Sequence, residues 1–246
     1  TASLDEKEVA ELFKVMRRLR GEGLGIVFVT HFLDQVYAVS DRITVLRNGQ
    51  LVGEFVTAGL PRLALVSKML GREVQDEAGR AADVSASEVE RVDPNPFSAG
   101  AKPEAPWGQG APPRAAASVA APLLAARGLT RRGALHPLDL TLRRGEVTGL
   151  AGLLGSGRTE TARLLFGIDR ADGGTIELRG QPVRFAAPRD AVRLGLAFCS
   201  EDRKTEGILP NLSVRENLIF ALQAKRGAWR TLARAEQETL CTHYIA

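Results

Sequence analysis

The stretch of sequence that decides the fold is VTGLAGLLGSGRTETARLLF, residues 147–166. It opens on an almost wholly apolar run at 147–151, which is typical of a buried strand. Glycine-rich residues follow at 152–159, and a helical pattern then continues to Phe166. Strand, glycine-rich loop and helix in this order form the setting of a phosphate-binding loop. The sequence therefore predicts an α/β fold with a phosphate site at residues 152–159.

The loop fits the pattern G-x-x-x-x-G-K-[ST], except that Arg158 stands in place of the lysine. Its glycines allow the backbone to curl so that successive N–H groups point at phosphate oxygens, and the helix dipole adds to this attraction. The Thr159 hydroxyl is a candidate Mg²⁺ ligand. The planar guanidinium of Arg158 supplies charge but cannot wrap a phosphate as lysine does, which predicts slower hydrolysis. The predicted nucleotide-binding residues are Gly152, Gly155, Ser156, Gly157, Arg158 and Thr159.

The base of a nucleotide has no evident aromatic partner in this part of the chain. Phe, Tyr and Trp are absent between Trp107 and Phe166, although adenine often stacks on an aromatic ring. Arg131 or Arg132 is the predicted substitute.

Composition narrows the class of protein. The 246 residues carry a net charge of +4 and two cysteines, Cys199 and Cys241. The cysteines lie far apart without further ligands at metal-binding spacing, so neither a disulfide framework nor a zinc site is expected. Apolar runs fall short of the roughly 20 residues of a membrane span. We interpret the positive net charge as solvent-exposed surface residues and not as a nucleic-acid binding site, because the arginines occur in short pairs and not in a long basic block.

The first segment, residues 1–73, alternates helical and strand patterns. Ser3 and Glu6 match a capping box ahead of an amphipathic helix. Ile26–Thr30 is a short apolar run that predicts a buried, parallel strand. Asn48–Gly49 lies between two β-branched stretches and predicts a hairpin turn. A short helix is expected over 61–70.

Residues 74–122 are rich in Ala, Pro, Gly, Ser and Glu and predict a flexible linker between two domains. The second segment is 123–246. Besides the glycine loop, it predicts a short strand at 196–198 and a helix capped by Ser213 and Glu216.

Two stretches of the second segment resemble a known family. GLLGSGRTE at 152–160 and FCSEDRKTEGILPNLSVRENL at 198–218 are similar to the second nucleotide-binding domain of the tandem ATPases that drive ribose-, galactoside- and xylose-type sugar import, within the ABC transporter superfamily. The first segment, through GIVFVTHFLDQVYAVSDRITVLRNGQLVGEF at 25–55, resembles the end of their first domain. The resemblance implies two incomplete P-loop ATPase domains joined by the linker.

Roles follow from the resemblance by position. Ser3, Leu4 and Asp5 occupy the place of the D-loop, which touches the opposite ATP site across a domain interface. His31 occupies the place of the switch histidine at the γ-phosphate. Glu201 lies near the loop that offers a side chain to Mg²⁺ and water, and is either a metal-reaching catalytic carboxylate or a solvated loop acid. ATP and Mg²⁺ are the implied cofactors.

The resemblance implies ATP hydrolysis that energises carbohydrate import at the cytoplasmic face of the inner membrane. The partners would be membrane permease subunits, with an extracytoplasmic sugar-binding protein acting indirectly and a second copy of the chain as a further partner. Both signature motifs and both acidic strand ends are missing from these residues. The chain is therefore expected to be a fragment that binds nucleotide without turnover. The alternatives are a non-catalytic permease-docking module and another P-loop NTPase that acts on nucleic acid.

Overall fold

The computed structural model describes residues 5–72, 121–200, 202, 205–227 and 231–245. Ser3, Leu4, Glu201 and nearly all of the predicted linker lie outside these ranges. The helices are α1 (Glu6–Gly21), α2 (Leu33–Val39), α3 (Arg62–Leu70), α4 (Arg158–Phe166), α5 (Pro188–Arg193), α6 (Val214–Arg226) and α7 (Arg234–Ile245). The strands are β1 (Ile26–Val29), β2 (Arg42–Arg47), β3 (Gln50–Val56), β4 (Leu124–Arg131), β5 (Leu135–Leu142), β6 (Val147–Ala151), β7 (Gly173–Leu178) and β8 (Gln181–Val183).

One sheet contains strands from both segments of the chain, in the order β1-β6-β2-β3. β6, which leads into the glycine loop, is parallel to both of its neighbours; Ile26 faces Val147 and Arg42 faces Thr148. β2 and β3 form the antiparallel hairpin predicted at Asn48–Gly49. The two segments thus share one sheet, whereas the sequence predicts two separate incomplete domains.

The physical reason lies in β6, whose five residues are all buried. A buried strand needs hydrogen-bond partners on both edges, because unpaired backbone groups away from water cost free energy. β1 and β2 supply both edges. Polar contacts reinforce the junction: the Val147 amide donates to the Asp41 carboxylate at 2.8 Å, and Arg42 pairs with Glu146 at 2.8 Å. The limits 1–73, 74–122 and 123–246 of the parent domains stay predictions.

The second sheet is antiparallel, in the order β5-β4-β7-β8, and comes wholly from the second segment. Its inner face is packed with leucines, among them Leu129, Leu138 and Leu140, each at most 1% exposed. Leu46 of the first segment joins the same core cluster. In a separate core cluster, Phe13 of α1 packs with Val147 of β6. Both segments therefore contribute to the same cores.

Two local predictions were wrong. The capping box of α1 is formed by Asp5 and Glu8, each side chain accepting from the other residue's amide, not by Ser3 and Glu6. Residues 196–198 form no strand; the rings of Phe166 and Phe198 stack at 5.4 Å instead.

Among the described helices, none combines the length and the apolar character that crossing a membrane requires.

Candidate functional site

The glycine loop connects the carboxyl end of β6 to the start of α4, as the sequence predicts. Gly155 and Gly157 have positive φ of 73° and 96°, a region in which residues with a Cβ are strained. Gly157 is the N-cap of α4, and no side chain there accepts from the first-turn amides. The positive end of the helix dipole is thus left for an anion in the loop.

Gly152 is required by space. A Cβ there would lie 2.4 Å from the Leu46 carbonyl oxygen and 2.3 Å from the Ser156 hydroxyl. The loop is closed by a hydrogen bond from the Ser156 amide to the Leu153 carbonyl at 3.0 Å. Ser156 is buried, so its side chain faces the protein interior and not the solvent side of the loop.

Arg158 lies inside the protein, with 8% of the residue exposed. One guanidinium nitrogen donates to the Thr30 carbonyl at the end of β1, and the other lies 3.5 Å from the Leu153 carbonyl. The positive charge is therefore held beside the loop, as predicted, but tied to the first segment. Thr159 lies exposed in the first turn of α4, on the solvent side of the loop.

The Arg158 contact brings the residues around His31 to the phosphate loop. Thr30 is buried, and its hydroxyl donates to Gln35 at 2.9 Å and accepts from the Phe32 amide at 3.2 Å. His31 itself is exposed, with its ring 4.1 Å from that of Phe32. The sequence resemblance predicts that His31 and the loop belong to different domains. Here the end of β1 lies next to the loop because β1 pairs with β6.

Of the other predicted site residues, Asp5 caps α1, and Ser3, Leu4 and Glu201 lie outside the described ranges. The Arg131 guanidinium is paired with the Asp169 carboxylate, and Arg132 is exposed. Stacking of a base on either one stays a prediction.

A network of charges that the sequence did not reveal extends from α4. Arg163 donates to Asp169 and to Glu206, each at 3.0 Å, and Ser200 donates to Glu206. The Asp169 hydrogen bond raises the pKa of Arg163. Burial alone would raise the pKa of Asp169, but the hydrogen bond and charge of Arg163, with the charge of Arg131, lower it below its ordinary value. Hydrogen bonds from Ser200 and Arg163 lower the pKa of Glu206. The helix of the phosphate loop is thus tied to the segment that follows Phe198.

A cavity of about 520 Å³ opens beside this network. Arg163 and Ile168 line one side, and residues 198–200 with 206–207 line the other. The residues that line it include none of the glycine loop, 152–159.

The loop residues fit the phosphates of a nucleotide. The backbone path is one that only glycine allows at Gly152, the helix start is uncapped, and a buried guanidinium supplies positive charge. Backbone amides and a fixed cation around a curled loop form the donor set that phosphate oxygens require.

Comparisons with known proteins agree with this geometry. Residues 135–245 match the ABC transporter family. Over 246 residues the chain is 46% identical to the galactofuranose transporter ATP-binding protein of Escherichia coli strain K12, a match covering 100% of this chain and 43% of that protein. It is 38% identical over 245 residues to the fructose import ATP-binding protein of Bifidobacterium longum, covering 100% and 42%.

A ribose import ATP-binding protein of Rubrobacter xylanophilus is 40% identical over 221 residues, covering 90% of this chain and 37% of that protein. The chain thus spans less than half the length of the curated relatives it matches. The matched region includes the glycine loop and its helix. The chain is thus similar over nearly all of its length to ATP-binding proteins of sugar importers, and its residues 135–245 match the ABC transporter family.

Proposed function

We propose that the chain binds the phosphates of ATP at residues 152–159 and is part of the subunit that energises carbohydrate import. The observation that carries the proposal is the loop itself: Gly152 has no room for a side chain, Gly155 and Gly157 have left-handed backbone, and α4 begins without a side-chain cap. These features leave backbone donors and a helix dipole for an anion.

Mg²⁺ would accompany the nucleotide, with Thr159 and Glu201 as its proposed protein ligands. When bound, the ion neutralises phosphate charge and polarises the bond to be broken. His31 is proposed as the residue that senses the γ-phosphate. Its support is the contact between Arg158 and the neighbouring Thr30 carbonyl.

ATP hydrolysis is proposed for the whole protein rather than for these residues alone. Relatives named as sugar import ATP-binding proteins are more than twice as long as the aligned part. The family signature motif that completes each ATP site does not occur in this sequence. The chain itself is therefore expected to bind ATP and to release no phosphate above background.

A matched pair of glycine variants tests nucleotide binding. Gly155 and Gly180 have φ of 73° and 76°, and an added Cβ at either would meet nothing within 4 Å. Gly155→Ala and Gly180→Ala therefore carry the same backbone strain, but only the first changes the phosphate loop. We expect Gly155→Ala to weaken ATP binding by about tenfold in calorimetry and Gly180→Ala to leave it unchanged. Equal affinity in both variants would contradict the proposal.

Docking to a membrane permease is the second part of the proposal and places the chain at the cytoplasmic face of the membrane. Its support is a set of exposed apolar side chains in α6 and the segment before it: Ile208, Val214 and Phe220 are 51%, 71% and 52% exposed. Exposed apolar side chains of this kind are candidates for an interaction site. In either case Val214→Asp should abolish co-purification with the permease. If the chain only docks, calorimetry detects no ATP binding to the wild-type chain. If it also binds nucleotide, Val214→Asp has the same ATP affinity as the wild type.

A further inference from the structure

We propose that the hairpin turn Asn48–Gly49 is a positioning element of the phosphate loop, so that the nucleotide site depends on the first segment of the chain. The inference rests on the proposed nucleotide binding at residues 152–159. The sequence explains this turn only as a hairpin connection, and neither the loop pattern nor the resemblance gives it a role in the site.

Two backbone hydrogen bonds join Gly49 to the second segment. Its amide donates to the Ser156 carbonyl at 3.0 Å, and its carbonyl accepts from the His136 amide at 2.8 Å. The turn therefore bridges the phosphate loop and β5. Both contacts come from a residue more than a hundred positions upstream of the loop.

The hydrogen bond to Ser156 fixes a peptide plane within the loop. In a trans peptide the carbonyl and the following amide point in opposite directions. Because the Ser156 carbonyl is held by Gly49, the Gly157 amide of the same peptide is directed away from the turn. Gly157 is the N-cap of α4, so the turn sets the direction of a donor at the start of the phosphate-binding helix.

The approach of the turn requires glycine on both sides. A Cβ on Gly49 would lie 2.6 Å from the Ala134 carbonyl oxygen, which is backbone and cannot move aside cheaply. A Cβ on Gly157 would lie 3.2 Å from the Gly49 Cα. The turn and the loop are thus in direct contact, and a methyl group at residue 49 would collide with Ala134, so the turn would have to shift from its place beside the loop.

The chain contains a matched control. β7 and β8 are joined by Arg179–Gly180, whose φ of 53° and 76° are close to the 51° and 73° of Asn48–Gly49. Both are two-residue turns of the left-handed type that hairpins prefer. A Cβ on Gly180 would meet nothing within 4 Å. Gly49→Ala and Gly180→Ala thus share the backbone strain of an alanine in this conformation, but only Gly49→Ala also collides with Ala134 and displaces a turn that contacts the loop.

The first experiment is amide hydrogen exchange of the nucleotide-free chain. We expect Gly49→Ala to accelerate exchange over residues 152–160 by about tenfold, because local opening of the loop becomes easier. Gly180→Ala should leave exchange over 152–160 at the wild-type rate and affect only β7 and β8. Equal exchange over 152–160 in the two variants overturns the inference, whether or not the chain binds ATP.

The second experiment is ATP titration by calorimetry in the presence of Mg²⁺. We expect about tenfold weaker binding in Gly49→Ala and wild-type affinity in Gly180→Ala. Unchanged affinity in Gly49→Ala overturns the inference alone. Failure of the wild-type chain to bind ATP overturns the proposed function, while the exchange comparison still decides whether the turn shapes the loop.

The wild-type chain provides a further measurement that does not depend on the folding of a variant. ATP bound in the loop should slow exchange of the Gly49 amide, because that amide donates to Ser156, and should leave the Gly180 amide unchanged. Bound ATP with no change at Gly49 overturns the inference.

Discussion

At the scale of single residues, Arg158 has two roles: it supplies positive charge beside the loop, and it donates a hydrogen bond to the first segment. Its charge lies beside the loop, but its guanidinium is buried and donates to the Thr30 carbonyl. A guanidinium presents several donors in a rigid plane, so it can hold a backbone carbonyl while its charge remains near an anion. Arg158 therefore fastens the first segment to the phosphate loop.

Removing this donor should destabilise the protein. In Arg158→Met the buried Thr30 carbonyl loses a partner, and we expect a loss of about 1–3 kcal/mol in the free energy of unfolding. Arg189 is exposed on α5, and Arg189→Met should change stability by no more than about 0.5 kcal/mol. Chemical denaturation of both variants checks this. Similar small effects would show that the contact with Thr30 carries no stability.

The residue scale also shows what a pattern can and cannot specify. The spacing of Gly152, Gly155 and Gly157 predicted the loop because the backbone conformation itself demands glycine there. The cap of α1 was misplaced because Ser3–Glu6 and Asp5–Glu8 both match a capping box, and the two differ by only two residues. The direction of the Arg158 side chain depends on Thr30, which no local pattern relates to it.

At the scale of secondary-structure elements, α2 of the first segment packs directly on β6 of the second. A Cβ on Gly149 would lie 2.5 Å from the Ser40 hydroxyl and 2.9 Å from a methyl of Val36. The Ser40 hydroxyl has no hydrogen-bond partner within the described residues. Glycine in the middle of β6 is thus explained by the close approach of α2.

This packing predicts a coupled pair of mutations. Gly149→Ala should destabilise by about 1–3 kcal/mol through overpacking, and Ser40→Ala should be nearly neutral. Because Ser40→Ala removes the atom that collides, the double variant should recover about 1 kcal/mol relative to the sum of the single effects. Denaturation midpoints of the four proteins complete the cycle. Strict additivity would mean that α2 does not rest on β6.

The charge network around Asp169 predicts how acid affects the contact between β4 and α4. A carboxylate with a lowered pKa binds fewer protons in the folded state, so its stabilisation is present at neutral pH and is lost as pH falls through that lowered pKa. We expect Asp169→Asn to be less stable than wild type at pH 7. The difference should shrink as pH falls below the ordinary range of an aspartate.

Unfolding curves at several pH values measure this difference. Asp34→Asn is the control, since Asp34 pairs with Arg62 while both side chains are more than half exposed, and such pairs contribute little. Asp41 has the opposite sign, because burial raises its pKa, so it does not contribute to acid lability. A difference between Asp169→Asn and wild type that stays constant with pH would contradict the assignment.

Elements with strong periodicity were predicted well, and the failures have physical causes. β1, β6 and α4 lie close to their predicted positions because their apolar patterns and the glycine loop between β6 and α4 mark them, and α6 does so because Ser213 and Glu216 form its predicted capping box. The predicted strand at 196–198 did not form. Phe198 stacks on Phe166 of α4 and Leu196 packs against the leucine core instead, and the local sequence predicts neither contact.

At the scale of the whole molecule, the two segments share their cores, so they should unfold together. Phe13 and Leu140, one from each segment, are at most 1% exposed. We expect Phe13→Ala to cost about 3–5 kcal/mol and Leu140→Ala about 2–5 kcal/mol. Each mutation should move the same single transition.

Denaturant unfolding followed by hydrogen exchange of peptides from 5–72 and from 121–245 distinguishes this from two domains. In the shared core, both sets of peptides lose protection at one midpoint that shifts with either mutation. Two midpoints, each shifted only by the mutation in its own segment, would restore the two-domain arrangement predicted from the sequence.

The shared sheet could not be predicted, although its strands could. β1, β2 and β6 each have the apolar character of parallel strands, but a parallel strand does not specify its neighbour. The sequence resemblance assigned each segment to a different parent domain and so gave no reason to pair them. The strands pair because each segment has a strand edge with backbone N–H and C=O groups to satisfy, and these groups form hydrogen bonds across the two segments.

The strand order β1-β6-β2 has a consequence for how the chain is made. β1 and β2 are translated before β6, the strand that lies between them in the sheet and that is encoded more than a hundred residues after β1. At usual rates of translation this gap is on the order of ten seconds. During that interval the nascent chain carries two unpaired strand edges, which are sites for aggregation and for chaperone binding. The rate of elongation between the codons for Arg47 and Val147 therefore determines how long these edges stay unpaired.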